Sequence, residues 1–206
     1  MERLRVILPR KDASLEEVRR DPAVQWLLDK DAIRDLVLCY SRAVDRQDFQ
    51  FLRALYAADA IEDDHGGLYS GPADGYVDWL ARVMPRLGIT AHCAQNHLVV
   101  QDGEDRAQGE VYMIAYHRMP ADGGGWTDLV HGMRYLDHYV RFAGRWLFGR
   151  RTVTIDWKQV GPCCWNPADP ELANAARGTH DRHDPSYRVL DHPFFVRRRP
   201  YEEPVI

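Results

Sequence analysis

Cysteine is scarce: four in 206 residues, at Cys39, Cys93 and the adjacent Cys163 and Cys164. This arrangement contains neither a CxxC pair nor a zinc-finger spacing, which excludes a disulfide-stapled miniprotein and predicts reduced structural thiols with no bound metal. The chain also lacks an excess of positive charge. With 27 Lys and Arg against 31 Asp and Glu, its formal net charge is -4, so a nucleic-acid partner is not expected. No apolar run approaches the roughly 20 residues needed to span a bilayer, and the first residues turn charged before a signal-peptide core develops. A soluble, cytoplasmic protein without membrane contact is the expectation. GxSxG and GxxxxGK[ST] are missing, and the triple glycine at 123–125 lies outside a strand-to-helix context, which removes the usual signatures of serine hydrolases and nucleotide cofactors. What is present is 45% hydrophobic residues, enough for the core of one ordinary domain.

The organisation changes along the chain. Residues 1–22 are charged, contain Pro9 and Pro22, and read as an N-terminal arm. From Val24 to Val44, apolar residues Leu27, Leu28, Ile33, Leu36, Val37 and Tyr40 recur at three- and four-residue spacing, which predicts a helix with one buried stripe, capped by Asp29 or Asp31. Asp48 to Tyr56 suggests a second helix and Ala73 to Leu87 a third, with Ile61 to Asp64 a short strand between them. After Gly88 the period becomes alternating. Four strands are predicted over Thr90 to Gln101, Arg106 to Met119, Thr127 to Phe142 and Arg145 to Gln159, joined by turns at Asp102-Gly103, 120–125 and Ala143-Gly144. Helices followed by a meander predict an α+β domain over 23–160, with helices packed on one face of a curved antiparallel sheet. Residues 161–206, rich in proline and weakly periodic, read as an irregular tail able to dock on the sheet or on another subunit.

Three segments hold candidate chemistry. Tyr40 sits on the buried stripe of the first helix and is either a core tyrosine or a donor to a ligand oxygen; Asp45, five residues later, shares a site with it only if the helix ends or bends there. Strict alternation in the strand from Thr90 places His92, Ala94, Asn96 and Leu98 on one face and Cys93, Gln95, His97 and Val99 on the other. One histidine then looks inward, and His92 and His97 cannot clasp one metal. In the last strand, alternation sets Arg151 on a face with Leu147, Gly149, Val153 and Ile155. A cation among apolar groups either pairs with a buried acid or stabilises charge on a substrate oxygen. His180 to Asp184 reads as a solvated loop, and Arg197 to Arg199 as solvated or paired charges.

The segments AIRDLVLCYSRAVDRQDFQFLRALYAADA at 32–60, HCAQNHLVVQDGEDRAQGE at 92–110 and MRYLDHYVRFAGRWLFGRRTVTIDW at 133–157 resemble the SnoaL-like branch of the nuclear transport factor two-like superfamily. The resemblance implies a cone-shaped α+β barrel, with helices closing one side of a bent sheet around an apolar pocket. It further implies, from dehydratase and dehydrochlorinase members, that an Asp at the end of the first helix pairs with a strand His. Asp45 and His92 match those positions; Tyr40, Arg151 and Asn96 match further polar positions of a dehydratase pattern. His97, His131 and Arg134 add polar groups beyond that pattern. Asn96, His131, Tyr112 and Trp79 complete the expected substrate-contacting set.

The function expected on this basis is a cofactor-independent lyase acting on a bulky apolar or aromatic hydroxylated compound of lignin-derived diaryl, steroid or polyketide type. His92 is the expected general base, Asp45 its orienting partner, and Tyr40 and Arg151 assist the oxygen. Dehydration, retro-aldol loss of an aldehyde and isomerisation all remain open. The alternatives are a non-catalytic ligand-binding or assembly protein of the same fold and the small subunit of a ring-hydroxylating dioxygenase. A homo-oligomer, dimer or trimer, is expected from an outer sheet face carrying a share of Val99, Val111, Met113, Val130 and Val140.

Overall fold

The computed structural model describes residues 21–164, 166 and 170–190. The arm up to residue 20, Trp165, Phe194, Phe195 and Arg197 to Arg199 lie outside the described residues.

Helix α1 (Pro22–Asp45) begins at Asp21, whose carboxylate accepts from the Ala23 backbone N–H at 2.8 Å, with Pro22 in the first turn. Its cap is therefore Asp21. Asp29, one of the two residues expected to cap it, is instead buried inside the helix, where it accepts from Arg141 at 2.8 Å and from the Trp146 indole at 3.0 Å. Ile33, Leu36, Val37, Tyr40, Ala43 and Val44 form the buried stripe. The helix stops at Asp45 because the chain then turns through a left-handed Gln47, φ 51°. Helix α2 (Phe49–Arg53) follows, with the Asp48 carboxylate accepting from the Phe51 N–H. It is shorter than the predicted second helix: Tyr56 already begins strand β1 (Tyr56–His65). The short strand expected at Ile61 to Asp64 is the end of this longer one. Strand β2 (Gly71–Pro72) leads into helix α3 (Ala73–Val83), and a 3₁₀ turn over Met84–Arg86 completes the predicted third helix.

Strands β3 (Thr90–Gln101), β4 (Arg106–Pro120), β5 (Trp126–Phe142) and β6 (Arg145–Pro162) form the meander. Together the six strands make one curved, unclosed sheet in the order β2-β1-β6-β5-β4-β3, antiparallel except for the β1/β6 pair. The α+β cone predicted from the sequence is thus present, with α1, α2 and α3 on the concave side.

Bulges decide which residues face that concavity. In β3, Ala94 opposes Met113 and His97 opposes Val111, so Gln95 and Asn96 together oppose Tyr112. In β6, Phe148 opposes Tyr139 and Arg150 opposes His138, leaving Gly149 unpaired. In β1, Glu62 opposes Arg151 and Asp64 opposes Thr152, so Asp63 is extra. Each inserted residue reverses the alternation beyond it. Arg151 therefore shares the inner face with Phe148 and Val153, not with Leu147 and Gly149 as alternation required. His97 joins His92 on the concave side, correcting the prediction that only one of them looks inward. Val99, Val111 and Met113, expected as partial cover for the outer face, are buried core residues, whereas Leu98, Val100 and Tyr112 are exposed.

The described part of the tail docks on the end of α1, not on the sheet. Arg42 donates to Ser186 at 2.8 Å and lies 4.5 Å from the centre of the Tyr187 ring; Arg46 pairs with Asp184 at 3.2 Å, and Arg182 with Asp48 at 3.0 Å. Asp184 is buried and accepts from the backbone N–H groups of Thr179 and Ser186 and from the Ser186 hydroxyl. The segment from His180 to Asp184 is a loop, as predicted, with Asp181, Arg182 and His183 exposed, but the buried Asp184 anchors it as a clasp on the end of α1.

Candidate active site

A cavity of about 250 Å³ lies between α3 and the concave side of the sheet. Its lining holds two polar clusters, His92 with His117 and His131, and His65 with Tyr76 and Tyr135, among apolar groups that include Trp79, Leu80, Met84 and Met133. A larger groove of about 830 Å³ lies elsewhere, along α1 and the β5/β6 hairpin. It is wide, acidic at its rim, and holds neither Asp45 nor any of the histidines.

At the first pole, the end of α1 delivers Asp45 to the start of β3. One Asp45 carboxylate oxygen accepts from His92 Nδ1 at 2.7 Å and from the Thr90 hydroxyl at 2.9 Å, and the other from the His92 backbone N–H at 2.8 Å. Burial opposes ionisation of Asp45, but the donors from His92 and Thr90 outweigh it and hold the carboxyl below its ordinary range. With Nδ1 committed to Asp45, Nε2 is the nitrogen left for a ligand. The His117 ring stands edge-on to His92, centres 5.1 Å apart, and His131 follows at 6.0 Å from His117. Burial, then repulsion from His92 and His131, depresses His117 to about 3, so this imidazole is neutral at physiological pH. Burial and then Lys158 also lower His131.

The second pole is built from residues that strand alternation does not place together. Glu62 is fully buried and accepts from the Tyr56 hydroxyl and from His65 Nδ1, the latter at 3.1 Å. His65 Nε2 meets the Tyr76 hydroxyl at 3.2 Å, and Tyr76 meets the Tyr40 hydroxyl at 2.6 Å. Tyr40 is thus one step removed from the cavity. Burial, partly offset by Arg151, pushes its phenol up to about 12.

Arg151 lies deeper still. It makes two parallel hydrogen bonds to Asp137, at 2.7 and 2.8 Å, with both side chains fully buried. The guanidinium carbon stands 4.2 Å from the centre of the Tyr40 ring and 4.3 Å from those of Tyr135 and Phe148. Of the two roles left open for a cation in this strand, pairing with a buried acid is the one its geometry fills.

The predicted site residues therefore separate. His92, His131 and Trp79 line the cavity, and Asp45 backs His92. Tyr40 and Arg151 lie behind the wall formed by Tyr76 and Tyr135. Asn96 and Tyr112 are exposed, on the outer side of the β3/β4 pair, because the bulge at Gln95 and Asn96 turns Asn96 away. They do not reach the cavity. His97 points inward but bonds the Tyr139 hydroxyl at 3.1 Å in the layer below, and Arg134 is engaged by Asp156 and Glu110. Among the described residues, no group of three or more His, Cys, Asp and Glu is placed to hold a metal ion, and no helix is long and apolar enough to cross a membrane.

A SnoaL-like domain model matches residues 25–152, a span that contains most of α1, strands β1 to β5, the first part of β6 and the residues of both polar poles. The chain belongs to the SnoaL-like family. A protein of Mycobacterium bovis with no described function is 31% identical over 134 residues, covering 64% of this chain and 88% of that protein. Among solved structures, a Novosphingobium aromaticivorans protein provisionally assigned as a scytalone dehydratase superposes with a TM-score of 0.60 at 20% identity, covering 70% of this chain and 99% of that one. A type 2 hexachlorocyclohexane dehydrochlorinase gives 0.64 at 19% identity, covering 71% and 99%. At these identities the two structures establish the shared fold.

Four cavity residues escaped sequence reasoning: His65, His117, Tyr76 and Tyr135. His65 falls at the edge of a glycine-rich turn, and its partner Glu62 is three residues away, a spacing that puts two side chains on opposite faces of a regular strand. Tyr76 was identified only as an inward-facing helix residue. His117 opposes Thr90 across the β3/β4 ladder, so the pairing of these two strands was the signal that could have brought it beside His92.

Proposed function

We propose that this SnoaL-like protein is a cofactor-independent lyase in which His92 is the general base and Asp45 its orienting partner. The observation that carries this reading is the 2.7 Å contact between Asp45 and His92 Nδ1 in a ring that lines a mostly apolar cavity. Asp45 fixes the tautomer in which Nε2 accepts a proton, and its carboxylate stabilises the imidazolium that results. Neutral His117, edge-on to the base, adds no positive charge that would oppose this step.

The cavity also favours a smaller substrate than composition suggested. At about 250 Å³ it lies just below the usual range of roughly 300–1,000 Å³ for ligand sites, which suits a one- or two-ring hydroxylated aromatic better than a four-ring steroid. Trp79, Tyr76 and Tyr135 supply flat apolar contact. The test is incubation of the purified chain with aryl β-hydroxy ketones and hydroxylated diaryl compounds, followed by mass spectrometry for loss of water or of an aldehyde. Turnover by the parent and its loss in folded His92→Ala is the expected result. Equal turnover by the two proteins would refute the assignment of the base.

A further inference from the structure

The cavity holds a second carboxylate-oriented histidine. His65 repeats the arrangement of His92: a carboxylate on Nδ1, here Glu62, and a ring lining the same cavity. The two histidines lie on β1 and β3, four strand steps apart in the sheet order. The curvature of the sheet brings them to one cavity. The strands between them contribute apolar Met133, Leu129 and Val153 to the wall, along with His117, His131 and Tyr135. A ligand in the cavity therefore meets both carboxylate-oriented imidazoles, with His117 and His131 beside His92.

Glu62 is not placed there as a strand surface charge. It is completely buried, and both its oxygens are engaged, one by the Tyr56 hydroxyl and one by the His65 ring. Burying a carboxylate is costly unless it is paired and hydrogen-bonded. Nor does Glu62 share the ion pair beneath it, since Asp137 already takes two guanidinium N–H groups of Arg151. Its imidazole partner is the histidine that faces the cavity. The 3.2 Å contact from His65 Nε2 to Tyr76 is the longest link in the chain running from Glu62 to Tyr40, and it is the one a ligand oxygen beside Tyr76 would share or replace.

We propose that His65, held by Glu62, is a second acid–base group of this site, and that it donates a proton from Nε2 to the departing oxygen while His92 accepts one from carbon. This proposal rests on the lyase reading and narrows it to elimination of water. In the step, the carbon-bound proton goes to His92 Nε2 and its electron pair forms the new C=C bond. The C–O bond breaks with its pair remaining on oxygen, which takes the Nε2 proton of a His65 imidazolium and leaves as water. The proton gained by His92 and the one lost by His65 are rebalanced through solvent when the product departs. Glu62 is a positioning residue: it fixes the ring through Nδ1.

The experiment uses two probes that differ only in whether the leaving group needs a proton: 3-hydroxy-1-phenylpropan-1-one and its 3-(4-nitrophenoxy) analogue. For His65→Phe and His65→Gln, with folding checked by circular dichroism and thermal melting, turnover of the hydroxy ketone should fall by about 10² or more, the usual worth of a positioned acid. Turnover of the nitrophenoxy ketone should fall less than about tenfold, whereas His92→Ala loses both. Glu62→Gln should move the ratio of the two rates in the same direction as His65→Gln. Equal losses on both probes, or none on either, would overturn the proposal, because a merely structural role cannot distinguish the leaving groups. Ring ¹⁵N shifts provide a readout independent of turnover. The hydroxy ketone should move the His65 and His92 signals, and propiophenone, which lacks the hydroxyl, should move His92 while leaving His65 in place. If the parent turns over neither probe, the lyase reading fails and these shifts alone decide whether His65 holds the oxygen. An unmoved His65, or no binding of either compound at millimolar concentration, would reject it.

Discussion

Replacing Arg151 with Met tests whether this cation supports the fold or acts on a ligand. The substitution keeps an unbranched chain of similar length, so packing against Tyr40, Tyr135 and Phe148 is largely preserved. What is lost is the charge and the two hydrogen bonds, at 2.7 and 2.8 Å, to a fully buried Asp137. Breaking a buried pair from one side costs about 3–5 kcal/mol, because the remaining charge is left without compensation. Against a net stability of about 5–15 kcal/mol for an ordinary domain, that is a large fraction. With a urea slope of about 2–3 kcal/mol per molar, the midpoint should fall by about 1–2 M. The double variant Arg151→Met/Asp137→Leu removes both charges, and Tyr139, which donates to Asp137 at 2.9 Å, still has His97 as a partner. It should therefore recover more than half of the loss. Urea unfolding followed by tryptophan fluorescence measures all three proteins. A single-variant cost below about 1 kcal/mol, or a double variant less stable than the single, would refute the assignment of Arg151 to the buried framework.

Asp45→Asn should leave the fold intact and lower turnover of any substrate by about 10² or more, since the imidazolium loses its counter-charge; parental rates in the folded variant would contradict the dyad. His117, depressed to about 3 in the folded chain, favours folding in its neutral form, so its contribution is complete above the unfolded value near 6.5 and is lost as pH falls from there toward 3. His117→Phe should accordingly flatten the decline in urea midpoint between pH 7 and pH 5, and a variant with the parental slope would count against this. Asp184, held down to about 2 because the Ser186, Thr179 and Arg46 contacts outweigh its burial, stabilises the tail clasp above the ordinary carboxylate range and releases it as pH drops toward 2. Asp184→Asn should make the segment around His180 to Ser186 exchange amide hydrogens faster at pH 7 while the sheet keeps its protection. Deleting Asn96 removes the bulge yet leaves His97 opposite Val111, so the chain should stay folded at a cost of about 0.5–3 kcal/mol; loss of the folded state would mean that the extra residue is needed for more than local bending.

Helix positions were legible because the apolar stripe from Ile33 to Val44 has one period throughout, and the meander because its turns carry Asp-Gly and Ala-Gly signals. Asp45 could be placed at a helix end from sequence, and the structure closes the helix there through Gln47. What periodicity could not supply was the partner across the sheet. His117 and Tyr135 occupy ordinary inward positions, and only strand register brings them to His92 and His65. Asn96 and Tyr112 failed as ligand contacts for the opposite reason. Each suits a polar pocket in isolation, but Asn96 occupies the bulge and Tyr112 faces it on the outer side of the sheet.

The same device explains both what was misplaced and how the site is built. A regular strand cannot turn two residues at odd spacing to the same side, yet Glu62 and His65, His92 and His97, and Phe148 and Arg151 all face inward. A bulged residue lies within each pair. Bulges also bend and twist the strands that carry them, and this sheet must bend for β1 and β3 to face one cavity. These insertions therefore serve two ends, curving the wall and selecting the side chains mounted on it. The buried Arg151 and Asp137 pair lies directly below, where it ties β5 to β6 and supports the rings of Tyr40 and Tyr135. The chemistry of the cavity thus depends on backbone irregularity and on charges that no ligand touches, which is why it is only partly visible in the spacing of residues along the chain.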